Sequence, residues 1–308
     1  MAKKRMYVAG RVVELTRLGD VIFPEDGITR GEVVDYYRRI ASVMLPHLQD
    51  RPLVLEIFPE GLEHPALWQR GISGDFPDWI SRVSIRQGLE TIVQCMCNEP
   101  AALVWLADYG CITFHPWLSR IDLPTQPDRM IFGLDPPEGR FDLLISVAME
   151  LRDFLKQFDL KSYAMTSGGS GLYLVVPLDR NESFDEIDEF SRDVAQVVAD
   201  ENPDRITLEL RKDLRNEKVY IDTTRNAWNQ MMIAPYSVRA IDGAPVARPV
   251  FWSELEDPDF NPKIFCIRDV SHWLDPKSDP WAGMSRYVRS LHEARQGISA
   301  MMAHGVKR

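Results

Sequence analysis

Apolar positions along this chain recur with two periods. In GITRGEVVDYYRRIASVMLPHL, Val33, Tyr37, Ile40 and Met44 stand at helical spacing behind Thr29 and Glu32, a capping-box pair, so an amphipathic helix is expected to end near Pro46. RFDLLISVAMELRDFLKQF places Leu144, Val147, Leu151, Phe154 and Phe158 on one face, and SFDEIDEFSRDVAQVVADE opens with a second capping box, Ser183 to Glu186. LETIVQCMCN and EPAALVWLADYG also read as helices, as does a closing segment from about Met284 to Met302. Short apolar runs bounded by Pro or Gly read as strands: RPLVLEIF, RMIFGLD, the two arms of YAMTSGGSGLYLVVPL, KVYID and MMIAPYSV. Strands and helices mix without a regular alternation, which predicts an α+β fold built around mixed sheets with flanking helices.

With 308 residues, 45% of them hydrophobic, the chain can bury one large core or two medium ones. No repeat or Gly/Ser linker marks a boundary, so a single domain over residues 1–308 is expected, with a helical extension at about 284–303. No apolar run approaches the roughly 18 residues that span a bilayer, and the MAKKRMYVAGRVVEL start has no sustained apolar stretch, so no membrane partner and a cytoplasmic location are expected. Four cysteines, with Cys95 and Cys97 crowded together, fit neither a disulfide framework nor zinc-ligand spacing and are read as reduced structural thiols. The net charge of −10 gives no global basic footprint. Nucleic-acid contact would have to come from a local patch.

Candidate chemistry concentrates late in the strand-rich half. Asp135 and Asp222 each end an apolar run, MIFGLD and VYID. Either alone suits a turn or a cap, whereas the two together suit a hard divalent cation held at one end of a sheet. Side chains alternate along a strand, so an Asp-x-Asp pair would project both carboxylates from one face, yet Gly133 occupies the first position here. TSGGSG, Thr166 to Gly171, is a turn that suits either a loose hairpin or a phosphate held by backbone N–H groups. FHPWLSR sets His115 and Trp117 in a proline-pinned turn, where a packing role and a site role both remain open. Arg211, Lys212, Arg215, Lys218 and Arg225 crowd around Asp222, and Arg239 follows in APYSVR; such a cluster suits a solvated face or a polyphosphate backbone.

These stretches, in this order and over about residues 13–255, resemble the polymerase domain of bacterial DNA ligase D and its stand-alone relatives, a branch of the archaeo-eukaryotic primase superfamily. The resemblance rests on LTRLGDVIFPEDGITRGEVVDYY, RPLVLEIFPEGL, HPWLSR followed by PDRMIFGLDP, TSGGSGLYLVVPL, RKDLRNEKVYIDTTRNAWNQMMIAPYSVRA and GAPVARPVFWSEL. It implies a primase-type core that inserts nucleotides, from NTP or dNTP, at broken or gapped DNA ends with a divalent metal, Mn2+ or Mg2+, beside a Ku-like end-binding protein and an ATP-dependent DNA ligase. The resemblance carries two metal and catalytic aspartates onto Asp135 and Asp222, and nucleotide contacts onto His115, Ser167 and Arg239. Arg30, Arg211, Lys212 and Arg225 become candidate DNA or phosphate contacts.

The departures fall where charge matters. Gly133 stands where the family has its first metal aspartate and Ser170 where it has a triphosphate lysine. Asp20 stands at a lysine used on the 5′-phosphate, and Glu56 at an often basic position. Two readings follow: a nucleotidyltransferase that is impaired or borrows another carboxylate such as Glu138 or Glu209, and a polymerase-like scaffold that binds nucleotide, DNA ends or repair proteins without catalysis. A metal-dependent phosphohydrolase would explain the aspartates but not the ordered motifs. Asp135, Asp222 and His115 are expected to converge in one cleft.

Overall fold

Both capping boxes form. Thr29 and Glu32 exchange side-chain to backbone hydrogen bonds ahead of a helix that runs through Pro46 to Leu48, and Ser183 and Glu186 do the same for a second helix. The structure, a computed structural model, describes residues 3–87, 90–260, 262, 265–275 and 279–305. Its residues group into two units, each assembled from three separate chain segments. Interleaving of this kind leaves no single linker for composition to reveal.

The first unit comprises Met1–Asp122, Met232–Arg248 and Pro262–Asp279. Two hairpins open it, β1 (Lys4–Val8) with β2 (Arg11–Leu15) and β3 (Val21–Phe23) with β4 (Ile28–Thr29), followed by α1 (Arg30–Leu48). β5 (Leu53–Ile57) lies between β6 (Leu67–Gln69) and β9 (Cys111–Pro116), β7 (Arg82–Gln87) pairs with β8 (Glu90–Cys95), and α2 (Pro100–Tyr109) packs on α1. Within LETIVQCMCN, Glu90–Cys95 therefore form a strand and not a helix; the β-branched Thr91, Ile92 and Val93 prefer the pleated pairing that β7 offers. MMIAPYSV is not a strand either. Pro235 has no N–H to donate, Tyr236 has a φ of +67°, and only an isolated bridge joins Val238 to Val246. The segment is held instead by Tyr37, whose hydroxyl donates to Ile112 O and accepts from Val238 N, and by Ser237, whose hydroxyl accepts from Phe114 N.

The second unit comprises Leu123–Met231, Pro249–Asn261 and Pro280–Arg308. Its sheet is formed by β10 (Arg129–Asp135), β11 (Tyr163–Thr166), β12 (Leu172–Pro177), β13 (Ile206–Thr207), β14 (Val219–Asp222) and β15 (Pro249–Val250), in the order β13-β14-β10-β12-β11-β15. Only the β13–β14 pairing is parallel. α3 (Phe141–Lys156) and α4 (Phe184–Glu201) pack on this sheet, and Leu144, Val147, Leu151 and Phe154 of α3 are buried as the helical spacing requires. The closing helix divides. A short 3-10 turn, Met284–Tyr287, precedes α5 (His292–Gly305), because the buried Glu182 carboxylate accepts from Ser290 Oγ and Leu291 N and holds the intervening chain extended.

One side chain ties the central strand to its surroundings. The amide of Asn226, fully buried, accepts from Ile131 N at 2.8 Å and donates to Ile131 O at 2.7 Å, and also reaches Ser191 Oγ and Thr223 O. Asn226→Ala leaves both main-chain groups of Ile131 unsatisfied toward that side, and the expected loss in a urea denaturation series is about 2–4 kcal/mol.

Candidate functional site

The two aspartates meet on one face of the second unit's sheet. Gly133 of β10 sits opposite Asp222 of β14 and Tyr173 of β12, while Asp135 sits opposite Tyr220. Side chains alternate along each strand, so Gly133, Asp135, Tyr220 and Asp222 project together, and Asp135 and Asp222 are diagonal neighbours at a spacing of about 7–8 Å. A Cβ on Gly133 would meet Asp222 Cβ at 3.3 Å and Tyr173 Cε1 at 3.5 Å. Aspartate at residue 133 would thus sit directly against Asp222.

Arginines answer both carboxylates. Arg215 Nη1 donates to Asp135 Oδ2 at 2.5 Å, its Nε to Glu209 O at 3.1 Å and its Nη2 to Leu210 O at 3.0 Å. The guanidinium also lies over the Tyr220 ring, 4.1 Å from its centroid. Arg225 Nε stands 3.9 Å from Asp222 Oδ2, and Thr224 donates to Asp222 Oδ1 through both its N–H and its hydroxyl. Arg211 pairs with Asp213, and Lys218 Nζ donates to Pro203 O; Lys212 is exposed. Much of the basic cluster is therefore engaged by acceptors of its own unit. Sequence reasoning noted Arg215 but missed its partner, because a contact across 80 positions leaves no local signal.

The glycine-rich turn borders the same strand end. Ser167 Oγ accepts from Gly169 N at 3.2 Å and Gly171 N at 3.1 Å, Gly168 has a φ of +70°, and Ser170 is exposed. Gly171 has no alternative: a Cβ there would stand 2.6 Å from the carbonyl oxygen of Leu134, the residue before Asp135.

This donor set does not fit a two-ion centre, in which several carboxylates surround ions roughly 3.5–4 Å apart. It offers two carboxylates, one already held by a guanidinium, and among the described residues no group of three or more His, Cys, Asp or Glu is placed to hold a metal. Neither Glu138 nor Glu209 supplies the third; Glu138 is exposed and Glu209 Oε1 accepts from Arg211 N.

His115 and Arg239 belong to the first unit. On its small sheet Glu56 lies opposite both Trp68 and Thr113. His115 Nε2 is 3.6 Å from Glu56 Oε2, and the Trp68 ring, largely exposed, lies 5.0 Å from the His115 ring. Trp68 escaped the sequence reading, since an isolated tryptophan in a short strand carries no motif. Arg30 is 2% exposed and spends its guanidinium on Asp108 O and Pro59 O, beside a polar pocket of about 340 Å³ that Arg17 and Lys3 also line. Asp20 pairs with Arg17 at 2.5 Å.

Burial alone would raise the Glu56 carboxyl, but hydrogen bonds from His115 and Thr113 and the charges of His115 and Arg239 outweigh it and hold the pKa below its ordinary 4.5. A depressed folded-state pKa contributes stability that is present above the unfolded value and lost as pH falls through the folded one. The stability gap between wild type and Glu56→Gln is therefore expected to be largest above about pH 5 and to close on acidification, as read by chemical denaturation across pH 3–7.

Comparison with known proteins fits this architecture. Residues 29–281 match the family described as LigD, primase-polymerase domain. The multifunctional non-homologous end joining protein LigD of Mycolicibacterium smegmatis is 35% identical over 250 residues, covering 80% of this chain and 33% of that protein. Its Pseudomonas aeruginosa counterpart is 29% identical over 287 residues, covering 92% of this chain and 33% of that protein. The chain thus spans about a third of the length of these curated relatives. The polymerase domain of Mycobacterium tuberculosis ligase D, solved in complex with DNA, superposes with a TM-score of 0.79 at 30% identity, covering 85% of this chain and 95% of that one. The primase-type α+β arrangement and the ordered motifs have one common source: the chain belongs to the LigD primase-polymerase domain family.

Proposed function

We propose that this chain works in end-joining DNA repair as a primase-polymerase-type nucleotidyltransferase whose nucleotide insertion at broken or gapped DNA is attenuated. The observation that carries this reading is the shared face of Asp135 and Asp222 beside the Ser167 turn, with Gly133 at the position that would complete it. By family resemblance, Asp135 and Asp222 supply the carboxylates, and Ser167, His115 and Arg239 the nucleotide contacts. NTP or dNTP as substrate, Mn2+ or Mg2+ as the ion a completed site would take, and a Ku-like protein and ATP-dependent ligase as partners belong to this reading by family membership. So does a cytoplasmic location, with which the lack of any helix long and apolar enough to cross a membrane among the described residues is consistent. One observation favours the scaffold reading, in which catalysis is lost: the Arg215 guanidinium on Asp135.

Primer extension on gapped DNA with Mn2+ separates the two. Gly133→Asp is expected to raise incorporation at least roughly tenfold, and Asp135→Ala to abolish it, on the scale of losing a key electrostatic group in the site. The price of the added carboxylate is crowding against Asp222 Cβ at 3.3 Å and repulsion between like charges, so Gly133→Asp should melt lower than wild type without Mn2+ and recover when Mn2+ is added. If Gly133→Asp with Ser170→Lys still incorporates nothing although circular dichroism shows it folded, the scaffold reading replaces this one.

DNA binding tests the charge account. With Asp20 paired to Arg17 and much of the Arg211–Arg225 cluster engaged internally, affinity for 5′-phosphorylated gapped DNA should be weak and fall roughly tenfold or more between 50 and 200 mM salt, by fluorescence anisotropy. Tight, salt-insensitive binding would contradict it.

A further inference from the structure

The β1–β2 hairpin turns one face inward and leaves the other bare. Val8, Val13 and Leu15 are buried, and β2 packs on α2. The register sets Arg5 opposite Glu14 and Tyr7 opposite Val12, and side-chain alternation puts these four on the outer face, where Lys3 Nζ also reaches Glu14. Tyr7 is 74% exposed and Val12 56%. One exposed apolar residue is ordinary, but here a bare aromatic pair stands in line with charge. Lys3 and Glu14 also line the polar pocket of about 340 Å³ beside Arg30, so pocket and hairpin form one continuous surface of the first unit.

That surface is positive in a chain of net charge −10. With Arg17 and Asp20 paired to each other, it carries Lys3, Lys4, Arg5 and Arg30 against Glu14 and Asp108. Glu14 is shared, accepting from Lys3 Nζ at 2.8 Å and from Arg5 Nη2 at 3.3 Å, and Asp108 accepts from the Thr16 N–H and hydroxyl. Exposed ion pairs hold weakly, so Lys3 and Arg5 can exchange Glu14 for another anion. Arg11, by contrast, is committed to Glu99 and to the Trp79 ring.

We propose that the outer face of the β1–β2 hairpin is a docking surface for single-stranded DNA, with Tyr7 as the platform on which a base stacks and Lys3 and Arg5 as the cations beside its phosphates. Alternate residues of a strand lie about 6.5 Å apart on one face, so Lys3, Arg5 and Tyr7 form a single path leading out of the pocket. A positive track beside an exposed aromatic ring holds single strands without reading their sequence. The hairpin precedes residues 29–281, the stretch that matches the family, and it supplies a local basic patch where the Arg211–Arg225 cluster is largely engaged by its own unit. This inference rests on the reading of the chain as one that acts on DNA, and its test reads binding instead of incorporation.

Binding of a labelled single-stranded oligodeoxynucleotide is followed by fluorescence anisotropy for the full chain as wild type, Tyr7→Ala, Tyr7→Trp and Arg5→Gln, with folding checked by circular dichroism. Tyr7→Ala should weaken binding at least roughly fivefold and leave the salt dependence unchanged, whereas Tyr7→Trp should bind at least as tightly as wild type. Arg5→Gln should lower the slope of log affinity against log salt by about 0.7. Heparin, a polyanion without bases, should bind Tyr7→Ala and wild type equally. The same oligonucleotide carrying 5-bromodeoxyuridine should photo-crosslink to Tyr7, as mapped by mass spectrometry. A folded Tyr7→Ala that binds the oligonucleotide like wild type overturns the proposal, as does a wild type that does not bind it at low salt. If Tyr7→Ala fails to fold, the crosslink decides: attachment at Tyr7 supports the docking surface, and attachment only outside residues 3–16 overturns it. Tyr7-dependent binding in a protein that never extends a primer would remove the catalytic reading and leave this inference standing; primer extension by a protein whose DNA binding ignores Tyr7 and Arg5 would do the reverse.

Discussion

The antiparallel register of β10 against β14 is the constraint on which the second unit's chemistry depends. Placing Gly133 opposite Asp222 sets Asp135, Tyr220 and Asp222 on one face, and a slip of one residue would turn the aspartates to opposite faces. Two local devices hold that register. Asn226 hydrogen-bonds both main-chain groups of Ile131, and the absence of a side chain on Gly171 lets the start of β12 close on Leu134. Each helps to set where the carboxylates stand.

Charge at that face is balanced from within. Two aspartates on adjacent strands would repel, and the chain answers them with Arg215 on one and Arg225 near the other. The same arginines, read along the sequence, look like a basic patch for a phosphate backbone. In the folded unit Arg215 is consumed by the sheet and Arg211 by Asp213, so the patch offers less positive charge to DNA than its composition suggests. The first unit shows a parallel balance. Glu56 is compensated by His115, Thr113 and Arg239, and Asp20 by Arg17, so these acids are absorbed into local pairs.

Local rules carried much of the fold. The capping boxes at Thr29 and Ser183 formed because their partners lie three residues away, and the buried face of α3 followed from its spacing. Errors fell where distant contacts outweighed local pattern. β8 is a strand because β7 pairs with it, the segment after Met231 is pinned by Tyr37 and Ser237 instead of joining a sheet, and the closing helix breaks where Glu182 captures Ser290 and Leu291.

The sequence by itself determined the family, the strand ends that carry Asp135 and Asp222, and the absence of a carboxylate at Gly133, since each is written in residue identity and order. Only the tertiary structure decided what surrounds them: that Asp222 faces Gly133 across the ladder, that Arg215 reaches back to Asp135, and that Arg30 donates to the main-chain carbonyls of Asp108 and Pro59. The physical reason is separation along the chain. Periodicity and capping act over a few residues and leave a mark in sequence, whereas a salt bridge between residues 80 positions apart exists only once the sheet has set its register.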